Sequence, residues 1–463
     1  MIIAIFRRIQ QSSLTIKSTK TNIGFLTFNH DAMKQLAITI IAIALFVPFA
    51  QAETLDDALH IALEASNRLM AESHLVEAAR ANVDAARATR NPVLANRTAY
   101  IALSDQPAYS IDLPTIPQLP LPSSINLPIS DQSFAVTSTS VTLPLYTGGK
   151  IGAMVDASRH QLGATSAGYS ASFQDVKIEV AESYFNVLRC RQLLKIAQAT
   201  ENTLLRHQRD VEKLLEQKIV TRNALLAAQA AYSAASQEKL KAENMVLITE
   251  SVYNRLLGRP LDSPVEIEEI PIPPVSGELE TLTAEAMRNR KELTKIASES
   301  QASLSLSRAS RADRLPQIVA TGGHSYLQNS QMAKESYWNG AVGLSWTPID
   351  GGTNRAKSRS SIQAAAASSR MWNEICSQIT LQVRTAWILE NETRSRIRVA
   401  TLGHEQAIEN YRVVTRQFQE GLVNHTEVLD AQTQLTTAAV NRCNAVYDAI
   451  VATCRVRRAV GTM

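Results

Sequence analysis

The 463-residue chain is poor in the residues that mark cross-linked or catalytic proteins. It has only 4 cysteines, Cys190, Cys376, Cys443 and Cys454, and no two lie close in sequence. That excludes a disulfide-framed scaffold and a zinc ribbon. Cys443 and Cys454 fall about three turns apart on one expected helix and cannot bond to each other, whereas a bridge between helices stays open in an oxidising compartment. Aromatic residues make up only 5% of the chain. Ala, Ser, Gln and Leu fill long stretches instead, which suits long helices with shallow contacts better than the two or three globular domains suggested by length.

Charge of one sign is also lacking. The formal net charge is +4, but Arg7, Arg8, Lys17, Lys20 and Lys34 face a single acid, Asp31, in the first 52 residues. The body after them carries equal numbers of each sign, so bulk charge gives no reason to expect a nucleic-acid partner or an anionic surface. With 45% hydrophobic and 19% charged residues, the composition argues against disorder as well. There is no G-x-S-x-G, H-E-x-x-H, phosphate-binding Gly loop or C-x-x-C, and the eight histidines are scattered. We therefore expect no enzyme activity, no cofactor and no metal site.

The leader has a recognisable plan. Residues 36–49 read LAITIIAIALFVPF, preceded by Met33 and Lys34 and followed by Ala50, Gln51 and Ala52. A charged start, a short apolar core and an A-x-A site describe a secretory signal peptide cleaved after Ala52. As a helix the apolar stretch would rise only ~21 Å, short of the ~30 Å hydrocarbon core. Met33 reads as the natural start, with residues 1–32 as a non-native extension. No later segment approaches ~20 uninterrupted apolar residues, so no spanning helix is expected in the mature chain.

Self-similarity dominates the body. Gly148 and Gly149 recur as Gly351 and Gly352, an offset of 203. At the same offset Val220 falls on Val423, Leu226 on Leu429, Gln229 on Gln432 and Gly258 on Gly461. We read a first repeat over residues 53–262, a linker over 263–280 and a second repeat over 281–461. Each repeat is expected to open with a helix, over 54–90 and 281–313. Two strands follow, and then Gly-Gly starts a very long helix that breaks near Val220 or Val423 and returns. Val155, Leu162, Tyr169 and Val176, with Phe173, Val180, Val187 and Leu194, form an a/d seam. No Pro interrupts residues 152–217, so a single helix of ~100 Å is allowed at ~1.5 Å per residue.

Long helices alone would also fit a structural periplasmic coiled coil. The strands argue otherwise. Trp338, Gly340, Val342, Leu344 and Trp346 alternate with Asn339, Ala341, Gly343, Ser345 and Thr347. One face is apolar and bounded by Trp, as on an outer-membrane strand whose side chains meet lipid. Residues 95–103, 134–143 and 318–327 are weaker candidates that, singly, also suit an ordinary half-buried strand. Four strands cannot close a membrane barrel, so an oligomer is required, and three chains would supply 12 strands. Residues 104–132, rich in Pro, are expected to form an extended loop without ladder pairing.

In this order and spacing the residues resemble the outer membrane efflux protein family, the TolC-like trimeric channels, from about Glu53 to Gly461. The resemblance implies an α+β membrane protein: a homotrimer with a 12-stranded β-barrel in the outer membrane of a Gram-negative bacterium and a long periplasmic α-helical barrel. It implies a passive exit duct that receives small molecules from an inner-membrane transporter through a periplasmic adaptor. Type I protein secretion is the alternative role. In the family, a Gly at the second hairpin tip is followed six and nine residues later by acids that ring the pore. Here Gly421 is followed by Glu427 and Asp430, to which the gate role carries over, whereas the first copy has Ala224 and Ala227. Six carboxylates near one axis imply a cation-selective constriction; acids at a solvated helix start are the plainer reading. Phe418, Val423 and Ala224 stand where better-studied members place a Tyr, an Arg and an Asp as a latch, and Lys218 replaces the Gly usual at the first tip. Ile219, Val220 and Thr221, with Gly421, Leu422 and Val423, match the places where adaptor hairpins dock.

Overall fold

The structure, a computed structural model, describes residues 52–113 and 122–463. The expected signal peptide, apart from Ala52, and the middle of the Pro-rich loop lie outside the described residues. The chain divides into two units, Met1–Ala52 and Glu53–Met463, and all the described helices and strands belong to the second.

Thr54 opens helix α1 (Leu55–Ala65) with a capping box: its side chain accepts from the Asp57 amide, and the Asp57 carboxylate accepts from the Thr54 backbone. A second helix, α2 (Asn67–Ala88), follows after one residue. The single helix expected over 54–90 is thus two. Ser66 is extended (φ −68°, ψ 106°), and its hydroxyl accepts from the Leu69 amide, so a residue that could have stayed helical caps a new helix instead. Strand β1 (Val93–Ala102) comes next.

The Pro-rich stretch corrects a second expectation. It holds a two-stranded antiparallel hairpin, β2 (Ala108–Asp112) with β3 (Ser124–Pro128), paired from Ala108↔Pro128 to Asp112↔Ser124. Pairing survives because its residues are free of Pro except Pro128 at the end of the ladder.

Strand β4 (Ser133–Tyr146) leads through Gly148 and Gly149 into α3 (Lys150–Glu216), 67 residues long. The return helix α4 (Arg222–Leu256) has 35. The expected seam faces inward: Val155, Val176, Val180 and Val187 are buried, and Leu162, Tyr169, Phe173 and Leu194 are half-buried. The same element order is then met again. Helices α5 (Leu279–Asn289) and α6 (Lys291–Ala312) divide at extended Arg290, again in place of one helix. The Arg290 guanidinium holds the break, donating to Glu292 at 2.9 and 3.0 Å and to the Ala459 carbonyl at 3.1 Å. Strands β5 (Gln317–Leu327) and β6 (Ser336–Ser345) precede α7 (Thr353–Gln419), also 67 residues, and α8 (His425–Val460), 36 residues.

The main sheet is antiparallel with order β1-β4-β5-β6. It does not close: among the described residues β1 and β6 each pair on one side only. Helix α3 packs on α2, α4, α6 and α8, and α7 packs on α6 and α8. The largest core lies midway along α3. There Tyr184 meets Phe185 and Tyr253 edge-on, with ring centroids 5.4 and 6.1 Å apart.

The segment between the two halves is a strap. Glu53 bridges to Ile267, and the Tyr184 hydroxyl lies 2.7 and 3.0 Å from the carbonyls of Glu268 and Glu53. Further along, Arg394 donates to the Pro273 carbonyl at 2.6 Å and Trp387 to that of Gly277 at 3.0 Å. Fully buried Glu390 accepts from the hydroxyls of Ser276 at 2.9 Å and Thr453 at 2.8 Å.

Candidate functional site

Two places combine the residues singled out by sequence: the hairpin tips and one face of the sheet. At the first tip the Ile219 amide donates back to the Leu214 carbonyl at 2.9 Å; at the second, Leu422 donates to Gln417 at 2.8 Å. These are the same six-residue closure, displaced by 203 positions, and each satisfies a helix-end carbonyl. The left-handed residue it needs is Gly421 (φ 75°) at one tip and Lys218 (φ 61°) at the other, so the turn keeps its shape although Lys carries a steric penalty there. Thr221 caps α4 by accepting from Ala224, and Asn424 caps α8 by accepting from Thr426 and Glu427 at 2.9 and 3.1 Å.

Glu427 is therefore the third residue of α8, and Asp430 follows one turn later on the same side. Both are exposed, and among the described residues neither makes an ion pair. Ile219 (64% exposed) and Leu422 (70%) offer apolar side chains at the very ends, while Val220 and Val423 are half-buried. The two tips touch through Phe418. Its ring packs on the cluster of Val211, Ala224 and Ala228 from the first hairpin, so the contact between hairpins is apolar where a polar latch was lacking. Sequence reasoning passed over His207, which lies against Phe418 with ring centroids 5.5 Å apart. Nothing in the local sequence marks it, because the partner ring comes from a helix more than two hundred residues away.

All four glycines of the strand-to-helix turns have positive φ: 62° and 84° at Gly148 and Gly149, 66° and 90° at Gly351 and Gly352. Gly148 is also confined, since a Cβ there would come within 2.7 Å of the Leu315 Cβ.

Register assigns the sheet faces. Directly paired residues of antiparallel strands point the same way. Trp338 pairs with His324, His324 with Thr139, and Thr139 with Asn96, so one face carries that row. Two residues on, the same face carries Gly340, Gly322, Val141 and Leu94, then Val342, Ala320 and Leu143, then Leu344 and Ile318. Its side chains are bare: Trp338 is 83% exposed, Val342 71% and Leu94 70%. The opposite face carries Ser138, Ser325, Ser140, Thr142, Thr321 and Asn339. Trp346 lies one residue past β6, and its indole donates to the Arg314 carbonyl at 3.1 Å, tying the strand base to the end of α6.

A sheet with one lipid-type face, continued through glycine turns into long helical hairpins, is the fold of an outer-membrane channel subunit. Three solved structures share it at low identity. The outer-membrane channel OprN matches with a TM-score of 0.73 at 17% identity, over 88% of this chain and 90% of its own. VceC of Vibrio cholerae matches with 0.72 at 16%, over 88% and 96%. The open state of the MtrE channel of Neisseria gonorrhoeae matches with 0.67 at 16%, over 88% of each. No curated protein matches in sequence. The chain belongs to the Outer membrane efflux protein family, whose pattern it matches over residues 58–259 and 282–462. Its place is accordingly the outer membrane of a Gram-negative cell, with an extension into the periplasm.

Proposed function

We propose that three copies of this chain form a passive exit duct for small molecules. Three open sheets, joined β1 to β6, make a 12-stranded barrel, with the face of Trp338 and Val342 toward lipid and the small polar face toward the lumen. The hairpins of the two repeats, 53–262 and 281–461, continue the wall into the periplasm, joined by the segment 263–280. At the far end, Ile219, Val220, Thr221, Gly421, Leu422 and Val423 receive a periplasmic adaptor, which connects the duct to an inner-membrane transporter. Glu427 and Asp430 of each copy ring the opening and select cations. Enzymatic chemistry has no part in this reading; the named relatives are channels.

The open sheet carries the argument. An exposed apolar face and two unpaired edges are unstable in water, and trimeric closure inside a bilayer resolves both at once. Planar-bilayer recording of the purified protein tests the reading. A small cation-selective conductance is expected, rising and losing selectivity in the Glu427→Ala/Asp430→Ala double variant. A soluble monomer without conductance would sink the duct, and unchanged selectivity in the variant would remove the gate.

A further inference from the structure

About two and a half turns before the end of α3, residues of α7 and α8 approach a histidine that neither the gate acids nor the docking residues use. His207, on α3, is 8% exposed. It stacks against Phe418 of α7, with the rings tilted by 55°. Its Nε2 is buried without a hydrogen-bond partner, and the same holds for Nδ1 of His425, the first residue of α8, and for Oγ1 of Thr415 on α7. His207 and His425 thus bring unpaired ring nitrogens from α3 and α8 to the region where the hairpins meet. The ionisable groups acting on His207 are His425 from α8 and Asp210 from its own helix. Phe418 of α7, which touches His207, and Ala224 and Ala228 of α4, against which Phe418 also packs, do not titrate. Among the described residues no group of three His, Cys, Asp or Glu side chains is placed to hold a metal ion.

We propose that His207 is an acid-operated wedge between the two hairpin tips. Protonation puts a charge into the apolar contact that Phe418 makes with the first hairpin. Separating α7 and α8 from α3 and α4 lets water reach that charge, so acid favours parted tips. Burial, reinforced by His425 and opposed by Asp210, holds His207 below the ordinary imidazole value. The packed contact therefore has its full stability above the ordinary histidine range and loses it as pH falls, because parted tips bind the proton first. The ratio of parted to packed tips rises by up to about tenfold for each unit by which the packed-state value is depressed. The wedge rests on the duct reading and supplies a release where Phe418, Val423 and Ala224 provide no polar latch.

The test is bilayer recording of the full chain between pH 8 and pH 5, in a Glu427→Gln/Asp430→Asn background that removes titration of the gate acids. Open probability should rise on acidification with a midpoint below the ordinary histidine value. His207→Phe keeps the apolar volume and should abolish the rise; His207→Gln, closer in size and polarity, should also give a flat profile. A conductance that ignores pH, or an undiminished rise in both variants, overturns the wedge while leaving the duct intact. Absence of conductance at every pH removes the duct and the wedge with it.

Discussion

Replacing Glu390 by Ala should release the strap from α7. The fully buried carboxylate holds Ser276 at 2.9 Å and Thr453 at 2.8 Å, and it faces Arg394 at 3.5 Å. Hydrogen bonds to a charged group contribute about 1.5–3 kcal/mol each, and breaking a buried pair costs about 3–5 kcal/mol when the remaining charge is stranded. Arg394 is not fully stranded: its side chain is 21% exposed and keeps the Pro273 carbonyl at 2.6 Å. The low end, about 3 kcal/mol, is therefore the appropriate figure for local opening. At about 1.4 kcal/mol per decade that makes the strap open roughly 100-fold more often. Cleavage by a glutamate-specific protease reads this directly, because Glu266, Glu268, Glu269 and Glu278 lie in or beside the strap. Under conditions where reclosing outpaces cleavage, the initial rate follows the open population. Glu390→Gln keeps the shape and one acceptor, and should raise the rate about tenfold. An Ala variant cleaved within about threefold of the native rate would refute the reasoning, since the buried network would then hold the strap no better than water does.

Lys218→Gly relieves the left-handed strain at φ 61° and should stabilise the first tip by about 0.5–1 kcal/mol, seen as slower amide exchange at Ile219 and Val220. Gly148→Ala combines a φ of 62° with a 2.7 Å approach to Leu315, and should cost more than about 1 kcal/mol, measured as a lower unfolding midpoint or a lower yield of assembled protein. Burial alone would raise the Glu292 carboxyl, but Arg290 and Arg458 hold it below the ordinary carboxylate value. A depressed acid stabilises above its unfolded value, so this contribution disappears as pH falls through the carboxylate range. Glu292→Gln should correspondingly flatten the acid limb of a thermal-stability profile.

Legibility followed the range of the interactions. The alternation from Trp338 to Trp346 is a local pattern, and β6 lies where it points, although Trp346 falls one residue beyond the strand. The Gly-Gly turns and the paired tips rest on backbone geometry set by a few neighbouring residues, and their positions could be read directly. The divisions at Ser66 and Arg290 could not, because the cause of the second lies partly at the Ala459 carbonyl, far along the chain. The β2–β3 hairpin was hidden by counting Pro residues without noting that its strands avoid them. The strap looked like a linker because its partners, Glu390, Arg394 and Trp387, sit on α7 with no signal of their own. His207 and His425 belong to different hairpins, and sequence distance concealed that they lie near enough to influence each other.

The unequal helix lengths have a mechanical consequence. Along each 67-residue helix the backing is made of separate planks, a return helix of 35 or 36 residues and a broken helix pair of 11 and 22, rather than one plank of equal length. The planks abut where Gly258 touches Ala65 and where Gly461 touches Asn289, contacts too close to admit larger residues without displacement. Each stave thus has a butt joint partway along, and the strap lies across it like a hoop, anchored on Tyr184 and Glu390. A joint concentrates bending. The strap, tied to α3 at Tyr184 and to α7 at Glu390, is what joins the two staves there.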